Sequence, residues 1–233
     1  MKLRSLFPLC LSLACLFIGE ARSATVIFDN VNGSGNAAYG IRDADGVLVS
    51  GVGFQGALGY FTISNSAISS SFAGNDLAAI QSGFTQFDPV DGTFSLSSLA
   101  AGAFQTNEIF DTKASSNTFG GSIVYAVLYK GTSIATATEL LIAQLNAQFP
   151  TDPEIGLTAT LNVSLAPSSV TNLVVGSSGG PAHDYGLGGG ELPTFGMVAA
   201  VPEPSRSLLL LGGLACLGWR RRQQESKGSY YFE

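Results

Sequence analysis

Charge is scarce in this sequence, and so are the side chains from which most active sites are built. Only 12% of its 233 residues are charged, about half the usual share of a soluble protein. There is one histidine, one tryptophan, two methionines and three cysteines. So few imidazoles and thiols leave little material for a zinc site, and no cofactor is expected. Eleven Lys and Arg against 17 Asp and Glu give a formal charge of −6 and a pI near 4.7. That balance argues against a nucleic-acid partner, which needs clustered cations. What the chain has in quantity is glycine (29) and phenylalanine (15).

The segment 1–23 reads as a secretory signal peptide. Lys2 and Arg4 precede an apolar stretch from Leu6 to Ile18, and Ala21-Arg22-Ser23 sets small residues at −3 and −1 of a cut between Ser23 and Ala24. Leu13-Ala14-Cys15 looks like part of a lipobox, but the apolar run continues past it through Ile18, where a mature lipoprotein would turn polar.

The far end reverses the order. Val201-Pro202-Glu203-Pro204 leads into an apolar run, Ser207–Trp219, and then into Arg220, Arg221 and Arg222. At ~1.5 Å per residue the 13-residue run makes a helix of roughly 20 Å, short of the ~30 Å hydrocarbon core. It suits a transient stop better than a permanent anchor. The arginines hold the extreme C-terminus in the cytoplasm, while the two prolines keep the preceding stretch extended. This three-part order resembles the PEP-CTERM sorting domain of bacterial surface proteins. The resemblance implies recognition by an exosortase, a membrane-embedded protease and transpeptidase, and association with exopolysaccharide outside the cell. It covers only the stretch 201–222, and the tail 223–233 is longer than the family usually shows.

Between the two signals lies an exported region, 24–200, without a single cysteine, so its stability has to come from packing. Its only cations are Arg42, Lys113 and Lys130 against 13 carboxylates, a net charge of −10. The region is rich in Gly, Ser and Thr, whereas strong helix formers are rare. Candidate strands are Thr25–Asp29, Val47–Val52, Leu58–Ile63, Thr93–Leu96, Ile123–Lys130, Leu157–Leu165 and Asn172–Val175, with turn dipeptides such as Asp45-Gly46 and Asp91-Gly92 between them. Asn75 or Asp76 caps an expected helix over 75–84 carrying Leu77, Ile80 and Phe84 on one stripe. Residues 135–149 fit either a helix or a strand. The expected fold is mainly β, a single β-sandwich-like domain over 24–176 with one or two short helices. A Gly-rich flexible stalk is expected over 177–200, followed by the sorting signal at 201–222.

Tested for chemistry, the exported region offers little. Gly51, Gly53 and Gly56 match a dinucleotide fingerprint, but a strand pattern follows where a helix is required. Asp43-Ala44-Asp45-Gly46 opens like a calcium loop, yet Val52 stands where the closing Glu belongs, which favours a tight hairpin turn. Asp88–Gly92 and Asp152–Glu154 read as turns as well. His183-Asp184 falls in the Gly-rich stretch, where a catalytic base would lack fixed geometry. No tryptophan is left for sugar stacking; the 12 phenylalanines read as core, and Tyr39, Tyr60, Tyr125, Tyr129 and Tyr185 are the polar aromatics.

The sequence thus points to a non-enzymatic cell-surface or matrix protein, with signal peptidase, an exosortase-like membrane protease and exopolysaccharide as its partners. Two alternatives remain open: a polysaccharide-active enzyme using an Asp/Glu pair, and a calcium-dependent glycan-binding module built on turns such as Asp43–Gly46. The mature protein is expected to begin at Ala24 and to end near Pro204. Intact-mass spectrometry of surface-extracted protein reads both ends; residues 207–233 retained in the mature pool would make that segment an anchor.

Overall fold

The computed structural model describes residues 24–32, 34–35, 37–87, 93–106, 109–110, 119–150, 159–186 and 188–200. The expected signal peptide, the turns expected at 88–92 and 152–154, and everything from Val201 onward lie outside the described residues.

The expected mainly-β architecture holds, with the sheets packed as a sandwich. In chain order the strands are β1 (Ala24–Asp29), β2 (Ile41–Arg42), β3 (Phe54–Phe61), β4 (Phe84–Gln86), β5 (Thr93–Ser95), β6 (Ile109–Phe110), β7 (Ile123–Lys130), β8 (Glu139–Gln148), β9 (Ala159–Ser164), β10 (Val170–Val175), β11 (Ser177–His183), β12 (Leu192–Gly196) and β13 (Val198–Ala199). Helices α1 (Asn65–Ala73) and α2 (Leu77–Gly83) follow β3, and a 3₁₀ turn, Ile134–Thr136, joins β7 to β8.

A seven-stranded antiparallel sheet forms the centre, in the order β10-β8-β7-β3-β4. On it, β5 continues the β3 edge and β13 pairs with the start of β8. Two of its inner strands, β7 and β8, are apolar on both faces. Along β7, Val124, Ala126 and Leu128 point into one core, and Tyr125, Val127 and Tyr129 into another. β8 repeats the alternation with Leu141, Ala143 and Leu145 on the first face and Leu140 and Ile142 on the second.

Each face has its own cover. Val26 and Phe28 of β1 with Val163 of β9 pack on the first, from a small sheet in which β1 and β9 run parallel in register from Ala24–Ala159 to Asp29–Ser164. Ile68 of α1 with Leu77 and Ile80 of α2 pack on the second. The phenylalanines fill the first core as expected: Phe28, Phe87, Phe104, Phe149 and Phe195 are all fully buried. Four of them meet in two ring pairs, Phe28–Phe104 tilted and Phe87–Phe149 stacked, with centroids 5.2 and 5.1 Å apart. Each such side chain contributes roughly 1.5–3 kcal/mol of burial.

The helix expected over 75–84 is α2. Asp76 is its cap, accepting from the Ala79 N–H at 3.0 Å. Asn75 has a different role: at φ 55° it terminates the preceding helix in the left-handed region, and the following N–H, of Asp76, donates back to Ser71 O at 2.7 Å. That preceding helix, α1, is not anticipated by the composition, since its Asn-Ser-Ala-Ile-Ser-Ser-Ser-Phe-Ala run has weak helix propensity. Ser64 caps it through its Oγ, and Ile68 buries it. Residues 139–148, open between helix and strand, are strand. Val47–Val52 is not a strand: only an isolated bridge, Arg42–Leu48, forms before the chain turns at Gly51 and Gly53.

The largest departure concerns 177–200. The expected stalk is three strands. β11 pairs with β12, β12 runs parallel to β2, and β13 joins the central sheet. Phe195 and Met197 are only 1% and 3% exposed, inside the first core. The glycines of this segment divide in two: Gly179, Gly186, Gly188 and Gly190 take positive φ with open space around them, while Gly176, Gly180 and Gly196 sit at close strand contacts. A Cβ on Gly180 would lie 2.6 Å from Thr194 Oγ1, so only glycine lets the two strands meet there. The folded unit therefore runs to Ala200. Phe195→Ala is expected to cost about 3–5 kcal/mol, read as a lowered denaturation midpoint; an unchanged midpoint would mean that the segment is a stalk after all.

Candidate functional site at the C-terminal end of the sheet

One end of the central sheet brings a cluster of polar residues beside the exit point of the chain. Lys130 closes β7 and Glu139 opens β8, and the two pair across the sheet. Lys130 Nζ donates to Glu139 Oε1 at 2.6 Å and lies 5.0 Å from the centre of the Phe54 ring. The other carboxylate oxygen of Glu139 accepts from the Ala44 N–H at 2.8 Å. Glu139 is buried, its side chain 8% exposed, whereas Lys130 reaches solvent. The hydrogen bond from Lys130 to Glu139 and the nearby carboxylates of Asp43 and Asp45 raise the Lys130 ammonium above its ordinary 10.5.

Ala44 belongs to the hairpin 43–47. Asp43 Oδ1 accepts from the N–H groups of Asp45 and Val47, at 3.1 and 2.8 Å, and Gly46 takes φ 81°. The first residue of the Asp43–Gly46 sequence thus spends a carboxylate oxygen on the turn itself. Arg42 fastens this hairpin to the third sheet: its Nε donates to Thr194 Oγ1 at 3.0 Å and one terminal nitrogen to Gly46 O at 2.7 Å. Thr194 passes the link on to Pro181 O at 3.1 Å.

His183 does not lie in an irregular stretch. It ends β11 opposite Leu192, its ring 4.5 Å from Tyr185 in an edge contact. Tyr185 Oη donates to Ala101 O, and burial pushes this phenol up to about 12. Tyr125 and Tyr129 serve the helix face and the sheet: Tyr125 Oη donates to Asn65 Oδ1 at 2.8 Å. Gly53 precedes β3 and Gly56 lies within it, so strand stands where the dinucleotide fingerprint would need a helix. Ala24 is the first residue of β1, while Ser23 and the sorting residues Val201, Pro202, Glu203, Pro204, Arg220, Arg221 and Arg222 lie outside the described residues. Among the described residues, no group of three His, Cys, Asp or Glu could hold a metal ion, and no helix is long and apolar enough to cross a membrane.

The Lys130–Glu139 pair escapes a reading of the sequence, though a signal is present. Each apolar run carries a single opposite charge at the end nearest the Gly131 turn, the pattern of a hairpin with a paired mouth.

The chain leaves this same end. Ala199 pairs with Glu139, and the Ala200 N–H donates to Thr138 O at 2.9 Å. At Ala200 begins a match, over residues 200–222, to the family model described as the PEP-CTERM protein-sorting motif. The chain carries that motif, and with it the signal for sorting by an exosortase system: export, a transient membrane anchor and display at the cell surface, with a membrane protease as processing partner. No curated protein and no solved structure matches the chain.

Glu139→Ala strips Lys130 Nζ and the Ala44 N–H of their acceptor at a buried position. A loss of about 1–3 kcal/mol is expected, measured by denaturant unfolding at pH 7. Because the Lys130 pKa is raised on folding, the pair's contribution is complete below 10.5 and fades only as pH climbs through the folded value. The gap between wild type and variant should therefore stay constant from pH 7 to 9; a gap that closes within that window would contradict the pairing.

Proposed function

We propose that the domain is a non-enzymatic constituent of the cell surface or extracellular matrix, delivered by the exosortase system and associated with exopolysaccharide. The sorting motif supports the destination. The observation that carries the non-enzymatic reading is the use made of the described carboxylates. Asp29 Oδ1 accepts from the Val31 N–H, Asp43 builds its turn, and Asp76 caps α2. Glu139 holds Lys130 and Ala44, and Asp184 accepts from the Gly186 N–H. These are five of the seven described carboxylates, and their use in holding backbone and Lys130 supports a structural role, whereas a glycosidase sets two carboxylates facing each other across a cleft.

The acidic exported surface bears on how polymer is held. With three cations against 13 carboxylates, contact with a sugar polymer falls to neutral hydrogen bonding and apolar faces rather than to ion pairing.

The mature protein, incubated with exopolysaccharide from its own host with and without calcium, separates the readings. Polymer of unchanged length, with altered matrix or cell aggregation in a deletion strain, is the expected result. Shortened polymer would establish the enzyme instead, and retention that needs calcium would establish the glycan-binding module.

A further inference from the structure

We propose that the sheet end bearing Ala200 is the membrane-facing end of the anchored protein, and that the Val52 loop tip rests in the lipid headgroup layer until the sorting signal is processed. The inference deepens the sorting reading, since it requires the anchored state that the motif supplies.

The argument starts from the missing stalk. With β13 closing the fold at Ala200, only the short stretch 201–206 separates it from the apolar run that begins at Ser207. Seven Cα steps, fully extended, reach at most ~25 Å. A compact unit spanning 24–200 has a radius of gyration of roughly 16 Å and a diameter of roughly 40 Å. The tether is therefore shorter than the body it holds, and the body cannot turn its far side to the membrane.

Backbone hydrogen bonds identify what shares that end. The Ala200 N–H donates to Thr138 O, the Thr138 N–H to Lys130 O, and the Gly131 N–H to Gly53 O. At ~4.8 Å between neighbouring strands, Gly53 stands roughly 15 Å across the end from the exit point. Val52, next to it, is 101% exposed, and Val47 on the neighbouring hairpin is 60% exposed. Placing a β-branched aliphatic residue at the tip of a turn, fully in water, gains nothing for the fold. At a headgroup boundary the same residue finds apolar surroundings.

Charge sets the kind of lipid. Asp43, Asp45 and Glu139 share this end with Lys130 and Arg42, three negative charges against two positive, so an anionic surface offers no attraction and a zwitterionic one suits it. The opposite end offers a built-in reference. Ile123 begins β7, at the other end of the strand from Lys130 and hence ~23 Å away, and is 41% exposed.

The test uses the exported chain, residues 24–233, in the Cys216→Ser background. Val52→Cys or Ile123→Cys then supplies the one thiol, which carries an environment-sensitive fluorophore. The protein is reconstituted in phosphatidylcholine–phosphatidylethanolamine vesicles containing a headgroup-level quencher, and flotation reports anchoring. Flotation with quenching at position 52 at least about threefold stronger than at 123 is the expected result. Flotation with equal quenching, or none at 52, overturns the proposal while leaving the anchor intact. Failure to float removes the anchored state and the proposal together.

Discussion

Two neighbouring strands, β7 and β8, are apolar on both of their faces, and such a pair persists in water only when both faces are covered. Most of the architecture answers that requirement. β1 and β9 cover one side, and the two short helices after β3 cover the other. The third sheet completes the first core with Ile41 and Phe195, and Met197 adds to it between β12 and β13. Without cysteines in the exported region, no cross-link relieves this dependence on packing, so a change at one cover layer is felt throughout.

The parts of this fold that can be read from the chain are those where local pattern and tertiary packing agree. Ile123–Lys130 is a strand by composition and a strand in fact, with the same limits. Asp76 caps a helix whose Leu77 and Ile80 recur at the helical period and are buried. Disagreement arises where packing overrides propensity. The serine-rich α1 forms because Ile68 has a core to enter and Ser64 a helix end to cap. Residues 177–200 mislead for a related reason: glycine marks flexible linkers and close strand contacts alike, and only the partner strand decides between them. By sequence, Val174 and Val175 look like the last apolar pair of the domain, whereas the strand they end leads directly into its closing sheet.

The candidate site shows the same division. Its processing signals are linear and legible as residue order, Pro202-Glu203-Pro204, an apolar run and three arginines. The cluster of Arg42, Ala44, Lys130, Glu139 and Thr194 is assembled from four separate segments, with Arg42 and Thr194 152 residues apart, and no local pattern announces it. Its physical role is to fasten a hairpin and a third sheet to the mouth of the β7–β8 pair, at the edge where the chain departs toward its sorting signal. Fold and sorting therefore meet at Ala200: among the described residues, the last backbone hydrogen bond is made by the residue at which the motif begins.

That junction is the central claim, and backbone hydrogen exchange of the exported protein tests it most directly. The N–H groups of Phe195, Met197 and Ala200 donate to Gly40 O, Arg42 O and Thr138 O, so they are predicted to exchange as slowly as those of β8. Exchange of these three amides at unstructured-chain rates, beside a protected β8, would place the end of the domain near Val175 and contradict the account.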